Sequence, residues 1–313
     1  MRILVTGAGG FIGRTLCPQL AARGHQVIAG LRGRPTAQRS PIAGAESRVL
    51  GDIAPGRDWA PDLRGVDAVV HLAQRAHRRA APDILAAEPE AAASLARSAA
   101  RAGVRRFLYI SSIKAMGEAT PGERQFRADD PPRPEDAYGR AKLATEQALQ
   151  EVAAESGLEL VILRPPLVYG PDVDGNFRAL VRLAGSFLPL PFAALDNRRS
   201  LIFVDNLADL AATALQHTAA PGRVLLAADG VALSVPALIR ILARGQGRTP
   251  LLFAVPGAVF GALRRLPLLG PPVSRLTLSL QIDDRATRAL LGWAPPVEAE
   301  AALVASARAL AAR

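Results

Sequence analysis

The sequence predicts an α/β protein, a doubly wound parallel sheet with a smaller α/β lobe at its carboxyl side. Three observations carry that prediction. Short apolar runs alternate with helical periodicities through the first half of the chain. A glycine-rich turn, Gly7 to Gly13, joins the first apolar run to the first helical one. The chain has 313 residues, room for about two lobes at roughly 150 residues each.

The elements follow in order. Residues 2–6 read as a short buried strand, and the helix after the glycine turn runs to about Ala22 and stops at Gly24. Further strands are expected at 27–31, 48–50, 67–72, 105–110 and 158–163, with helices over 83–102 and 138–156. Beyond Arg164-Pro165-Pro166 the alternation fades as Pro and Gly become frequent. A helix near 176–185, a strand at 201–204 and helices near 206–217 and 234–244 complete the reading. The expected division is a dinucleotide-binding domain over 1–168 and a substrate lobe over 169–313, with about 199–228 returning to the first.

Composition excludes several classes. The single Cys17 rules out a disulfide framework and a multi-cysteine zinc site, and His25, His71, His77 and His217 show no metal-ligand spacing, so no metal is expected. No run of eighteen apolar residues exists, so no membrane span is expected. The chain opens without a signal peptide pattern, and a cytoplasmic location is the expectation. Net charge is +10, but the basic residues are scattered and aromatics are few, which argues against nucleic acid. Lys114 and Lys142 are the only lysines.

The chemistry-bearing residues lie at strand ends. Gly7, Gly10 and Gly13, with Phe11 and Ile12 between them, sit where a dinucleotide's pyrophosphate meets a helix N-terminus, whose free N–H groups favour an anion. After the second strand there is no acid from His25 to Ala45, and Arg32, Arg34 and Arg39 stand there instead. An acid would hold an adenosine 2′-hydroxyl and an arginine a 2′-phosphate, so the expected cofactor is NADP, with Arg32 the best-placed partner and NAD the alternative. Tyr138 and Lys142 are four apart and share a helix face. A nearby ammonium stabilises phenolate, so this pair suits proton transfer near neutrality. Ser111 and Ser112 follow the fifth strand and emerge at the same sheet edge.

These residues resemble the extended short-chain dehydrogenase/reductases, in the NAD-dependent epimerase/dehydratase group. The resemblance rests on Thr6 to Gly13, Gly51-Asp52-Ile53, His71-Leu72-Ala73, Ser111 to Lys114, Tyr138 to Lys142, Arg164 to Pro171 and Phe203 to Asp209. It implies a Rossmann-type sheet. It also implies a catalytic Ser112, a Tyr138 acid/base and a Lys142 that tunes it and holds the nicotinamide ribose. Asp52 and Ile53 would flank the adenine, Leu72 and Ala73 would lie along the cofactor, and Pro165 and Leu167 would pass the nicotinamide. Asn176 and Arg199, with Arg275 in a looser match, would contact the nucleotide diphosphate, and Lys114 would belong to the substrate loop. Glu88 stands where the family often carries an asparagine, Gln74 where a small residue is frequent, and Met116 where a tyrosine is usual.

A narrower likeness is to a subgroup of bacterial surface-polysaccharide enzymes, UDP-glucose 4-epimerase-like or forming UDP-N-acetylquinovosamine by 4-ketoreduction. The sequence expectation is therefore an NADP-dependent reductase of a UDP-linked 4-keto sugar. A UDP-sugar 4-epimerase is the alternative, and a non-catalytic dinucleotide sensor stands outside both. A homodimer is the family habit.

Overall fold

The computed structural model describes residues 1–33, 41–74 and 82–312. Its large sheet has seven strands, β1 (Arg2–Thr6), β2 (Gln26–Leu31), β3 (Ala45–Val49), β4 (Ala68–His71), β5 (Arg106–Ile110), β6 (Glu159–Arg164) and, much later in the chain, β9 (Arg223–Leu226). Their order is β3-β2-β1-β4-β5-β6-β9, and all six pairings are parallel. The order reverses between β1 and β4, which opens a crevice at their carboxyl ends.

Helices cover both faces, as a parallel sheet requires. On one side α1 (Phe11–Ala22) packs beside α6 (Val204–Gln216), burying Leu16, Leu20, Leu207 and Leu210 against Val5 and Val70. On the other, α3 (Pro82–Arg101) and α4 (Ala137–Ser156) lie together over Phe107, Tyr109 and Ile162, beyond the short α2 (Ala60–Leu63). α4 has defined ends. The Asp136 carboxylate accepts from the Gly139 N–H at 2.7 Å, and Gly157 closes the helix with φ +73°.

After β6 the chain forms a second sheet, with β7 (Leu167–Tyr169) parallel to β8 (Arg199–Phe203) and β10 (Ala232–Leu233) antiparallel to it. Around it stand α5 (Asn176–Ala184), α7 (Val235–Gly245), α8 (Gly257–Arg264), α9 (Gly270–Thr277) and α11 (Ala299–Ala311), while α10 (Arg285–Leu291) lies near α6. Within the segment read as returning, α6 and β9 belong to the large sheet and β8 to the small one.

The motif Phe203 to Asp209 joins the two sheets. Asn206 is fully buried and donates to Asp229 and to the Val297 carbonyl, both at 2.8 Å. Asp229 also accepts from the Tyr169 hydroxyl at 2.8 Å and from the Phe203 N–H. Asp209 accepts from the Trp293 indole at 2.8 Å. A buried carboxylate with this many donors is satisfied, so these motif residues serve architecture.

Candidate active site

The end of the crevice at the β1 turn is shaped by missing side chains. Gly7 has φ +70°, and a Cβ there would lie 2.7 Å from the Ala73 backbone, so both conformation and close approach demand glycine. A Cβ on Gly13 would lie 2.5 Å from the Ala8 Cα, which sets how tightly α1 seats on the turn. A Cβ on Gly10 meets only the Gly7 carbonyl, at 3.2 Å. Gly10 is also the N-cap of α1, with no side chain capping the helix. The N–H groups of the first turn, at Phe11 and Ile12, are therefore not spent on a capping side chain, and a pyrophosphate fits the space that a side chain would fill. Beside it Thr6 ties the ends of β1 and β4 together, bonding His71 Nδ1 at 2.8 Å and accepting from the Ala73 N–H at 3.3 Å, next to Leu72. Burial, aided by the charge of Lys142, pushes the His71 imidazole down to about 3, so it is neutral here.

Past the ends of β2 and β3 the Arg32 guanidinium pairs with Asp52 at 3.1 Å, next to Ile53, and both partners are well exposed. The stretch after β2 has no acid of its own, yet the fold brings one from beyond β3. Arg32, expected as the partner of a 2′-phosphate, thus shares its charge with Asp52. Arg34 and Arg39 lie outside the described residues.

The end of the crevice beside β5 and α4 is built from buried charge. Lys142 is completely buried, and its Nζ donates to the Tyr109 hydroxyl at 3.0 Å and to the Ile110 carbonyl at 3.1 Å. That Nζ is 5.7 Å from the centre of the Tyr138 ring. Burial lowers the ammonium from 10.5 to about 7, against the opposing pull of Glu88 and Glu146. Glu88 thus acts on the site as a charge, with both carboxylate oxygens out of solvent. The Tyr138 hydroxyl donates to Gln74 Oε1 at 3.5 Å. Ser112 begins a 3-10 turn, Ile113–Ala115, and its Oγ accepts from the Lys114 N–H at 3.2 Å. A Cβ on Gly139 would fall on the Lys114 carbonyl oxygen, so only glycine lets α4 close on the turn that carries Ser112. The Pro165 carbonyl accepts from the Ile113 N–H at 2.9 Å, which runs Pro165 and Leu167 across the same sheet edge.

Of the expected substrate residues, Lys114 is held by Glu118 at 2.6 Å and by Asp136 at 2.5 Å. Arg199 is half-buried, donates to the Leu278 carbonyl at 2.8 Å, and is lowered by burial to about 10, with Glu118 pulling the other way. These four side chains form one charged group beside Ser112. Asn176 is the first residue of α5, after Gly175 with φ +77°, and is exposed. Arg275 is exposed on α9.

Three features escaped the sequence reading. Glu146, one turn beyond Lys142, is buried, accepts from Ser111, and pairs with Arg164 through contacts of 3.0, 3.2 and 2.5 Å. It locks α4 to the ends of β5 and β6. The Lys142 and Glu146 spacing is a sequence signal for one shared face. Tyr109, which reads only as a strand residue, supplies the acceptor for Lys142. Gln74 Nε2 is buried and has no hydrogen-bond partner among the described residues, next to the Tyr138 hydroxyl.

Residues 3–227 match the NAD dependent epimerase/dehydratase family. The chain belongs to that family. The match takes in the glycine turn, Ser112, Tyr138, Lys142 and the Asn206 junction, and ends at β9. A UDP-glucose 4-epimerase of Vibrio cholerae is 36% identical over 303 residues, 94% of this chain and 90% of that relative. Two Bacillus cereus structures share the fold over nearly their whole length. A UDP-glucuronic acid 4-epimerase in complex with NAD has a TM-score of 0.77 at 22% identity, covering 99% of this chain and 96% of the other. A UDP-N-acetylglucosamine 4-epimerase has a TM-score of 0.78 at 20% identity, covering 100% and 99%. The family is one of extended short-chain dehydrogenase/reductases, and the seven-stranded parallel sheet is its Rossmann-type core.

Proposed function

We propose that this enzyme epimerises C4 of a UDP-linked sugar, with Tyr138 as the single acid/base. The observation that supports hydride chemistry with proton transfer at this edge is Tyr138 standing on one helix face with the buried Lys142, beside Ser112 and the glycine cradle. A bound NAD or NADP would supply reversible hydride exchange at C4. Gly7, Gly10, Gly13 and the first turn of α1 would hold its pyrophosphate, with Arg32, Asp52 and Ile53 at the adenosine end. Lys142 as ammonium favours the Tyr138 phenolate electrostatically. Tyr138 takes the proton from the sugar O4, holds it while C4 is a carbonyl, and gives it back. Ser112 hydrogen-bonds the same oxygen and fixes its direction. Arg199 pairs with the diphosphate.

The two directions of chemistry ask the same of these residues, so the ranking comes from elsewhere. A reductase stood first in the sequence reading because of the arginines after β2. The full-length likeness to a UDP-glucose 4-epimerase supports placing the epimerase ahead. The ketoreductase is kept as the second reading on Arg32 alone, whose charge Asp52 shares.

One assay separates them. The purified protein is given UDP-glucose and UDP-N-acetylglucosamine, and in parallel a UDP-4-keto-6-deoxy sugar with NADPH. An epimerase yields the 4-epimer with no net change in nicotinamide absorbance. Stoichiometric NADPH oxidation by the keto sugar, without epimerisation of either UDP-sugar, would transfer the protein to the second reading.

A further inference from the structure

The outer corner of the C-terminal lobe is apolar and basic at once. α8 and α9 pack against each other, and α8 is anchored by the buried Phe260, whose ring stacks on Phe192 at 6.1 Å. The residues around that anchor turn outward. Val259, Leu266, Leu268 and Leu269 are open to solvent, Leu268 at 89% exposure. Pro267 and Arg265 in the same corner are exposed too. Upstream, Leu251 and Phe253 are exposed in a segment that hydrogen-bonds to Leu190. Nearby, Arg248 lies over the exposed ring of Phe187 at 4.3 Å.

Charge decides what such a corner can meet. The chain carries 28 acidic residues, and none falls between Gly230 and Ile282. The same stretch holds six arginines, Arg240, Arg244, Arg248, Arg264, Arg265 and Arg275. Exposed leucines alone would suit an apolar groove or a second copy of the chain. Two copies meeting here would set arginine against arginine, because the acids that adjoin the corner, Glu300 and Asp196, are already paired with Arg244 and Arg198. No helix among the described residues is long and apolar enough to cross a membrane.

We propose that this corner docks the enzyme on an anionic lipid surface. Leu266, Leu268 and Leu269 enter the boundary between headgroups and acyl chains, and Arg265 with its neighbours meets lipid phosphates. Apolar insertion and electrostatic attraction act together in such binding, and neither is strong alone.

The test is flotation of the full-length protein with vesicles of phosphatidylcholine, alone or with phosphatidylglycerol, at low and high salt. Anionic vesicles should bind it about tenfold or more above neutral ones, and salt should weaken the binding. Leu268→Glu with Leu269→Glu should lower partitioning about tenfold or more while cofactor titration stays unchanged. The single Leu268→Gln, at a side chain with almost no protein contact, should show a smaller loss of the same sign. Arg265→Gln should reduce binding to anionic vesicles only. Absence of binding to anionic vesicles at low salt, equal binding to both vesicle types, or indifference to both leucine variants would overturn the proposal. So would a lipid-independent dimer that the Leu268 variants dissolve, or an acidic protein held at this corner without lipid.

Discussion

The two ends of the crevice are made in opposite ways. At the proposed cofactor end the determinant is absence: Gly7, Gly10 and Gly13 leave room, and the first turn of α1, with no capping side chain, leaves N–H groups unspent. At the proposed catalytic end the determinant is burial of charge, with Lys142, Glu146 and Arg164 all out of solvent and joined to Ser111, Tyr109 and the Ile110 carbonyl. The difference teaches where each end is vulnerable. The first fails by the addition of atoms. The second fails by the loss of a partner and is governed by protonation.

The largest expected effect is at the cofactor end. Gly10→Val fills the place of the pyrophosphate, and fluorescence titration should detect no dinucleotide binding while the far-UV spectrum is retained. Unchanged affinity would break the comparison, because the turn would then not be the cradle. Next comes Tyr138→Phe, which should lower turnover by roughly two to four orders of magnitude, the usual worth of an acid/base group. Its cofactor affinity should stay near that of the unmodified protein, so that the two ends separate in a single pair of measurements.

Glu146→Gln sharpens the comparison through pH. Burial holds the Lys142 ammonium at about 7 while Glu88 and Glu146 pull it upward. The ammonium is present below that value and lost as pH rises through it, so turnover that depends on it falls on the alkaline side. Removing the Glu146 charge moves that limb to lower pH, and a pH–rate profile of kcat reads the shift. The stability effect has the opposite sign. The unfolded lysine keeps its proton up to 10.5. The penalty for burying the charge is therefore full below about 7 and is relieved as pH climbs from there towards 10.5. Glu146→Gln also uncouples Arg164, and breaking a buried pair costs about 3–5 kcal/mol, which urea unfolding would measure.

The smallest effect is at the exposed adenosine end. Arg32→Ala should change the preference between NADPH and NADH by about 1 kcal/mol, the scale of a solvent-screened charged contact. A preference for NADPH that survives the substitution would remove Arg32 from cofactor selection.

The sheet was legible because parallel strands buried on both faces read as short apolar runs between helices, as at Ile3 to Val5 and Phe107 to Ile110. β3 was placed a few residues late, since its Glu46, Ser47 and Arg48 lie at an edge and carry no apolar run. α8 and α9 were missed for a related reason. Each has eight residues, and α8 turns Val259 and Ala258 to solvent, so no buried stripe marks it. Tyr138 and Lys142 declared themselves by spacing, but their supports did not. The Arg164 contact to Glu146 joins a strand to a helix 18 residues away, and the Asp52 contact to Arg32 joins two strand ends. Local periodicity cannot express either.

The delayed return of β9 bears on how the protein can be cut. β6 takes its outer neighbour from Arg223–Leu226, in register from Val161 to Arg164, after the chain has already laid down β7 and β8 of the small sheet. α6, which covers one face with Leu207, Leu210 and Leu215, is also made after that excursion. A fragment ending near residue 168 would keep the glycine turn, Ser112, Tyr138 and Lys142, yet it would present a bare strand edge and an uncovered apolar face. Such a fragment is set to aggregate or to borrow the missing strand from another molecule. The first half of the chain is therefore not a detachable module, and grafting a new lobe onto it must respect three passages of the chain between the two sheets, after β6, after β8 and after β9.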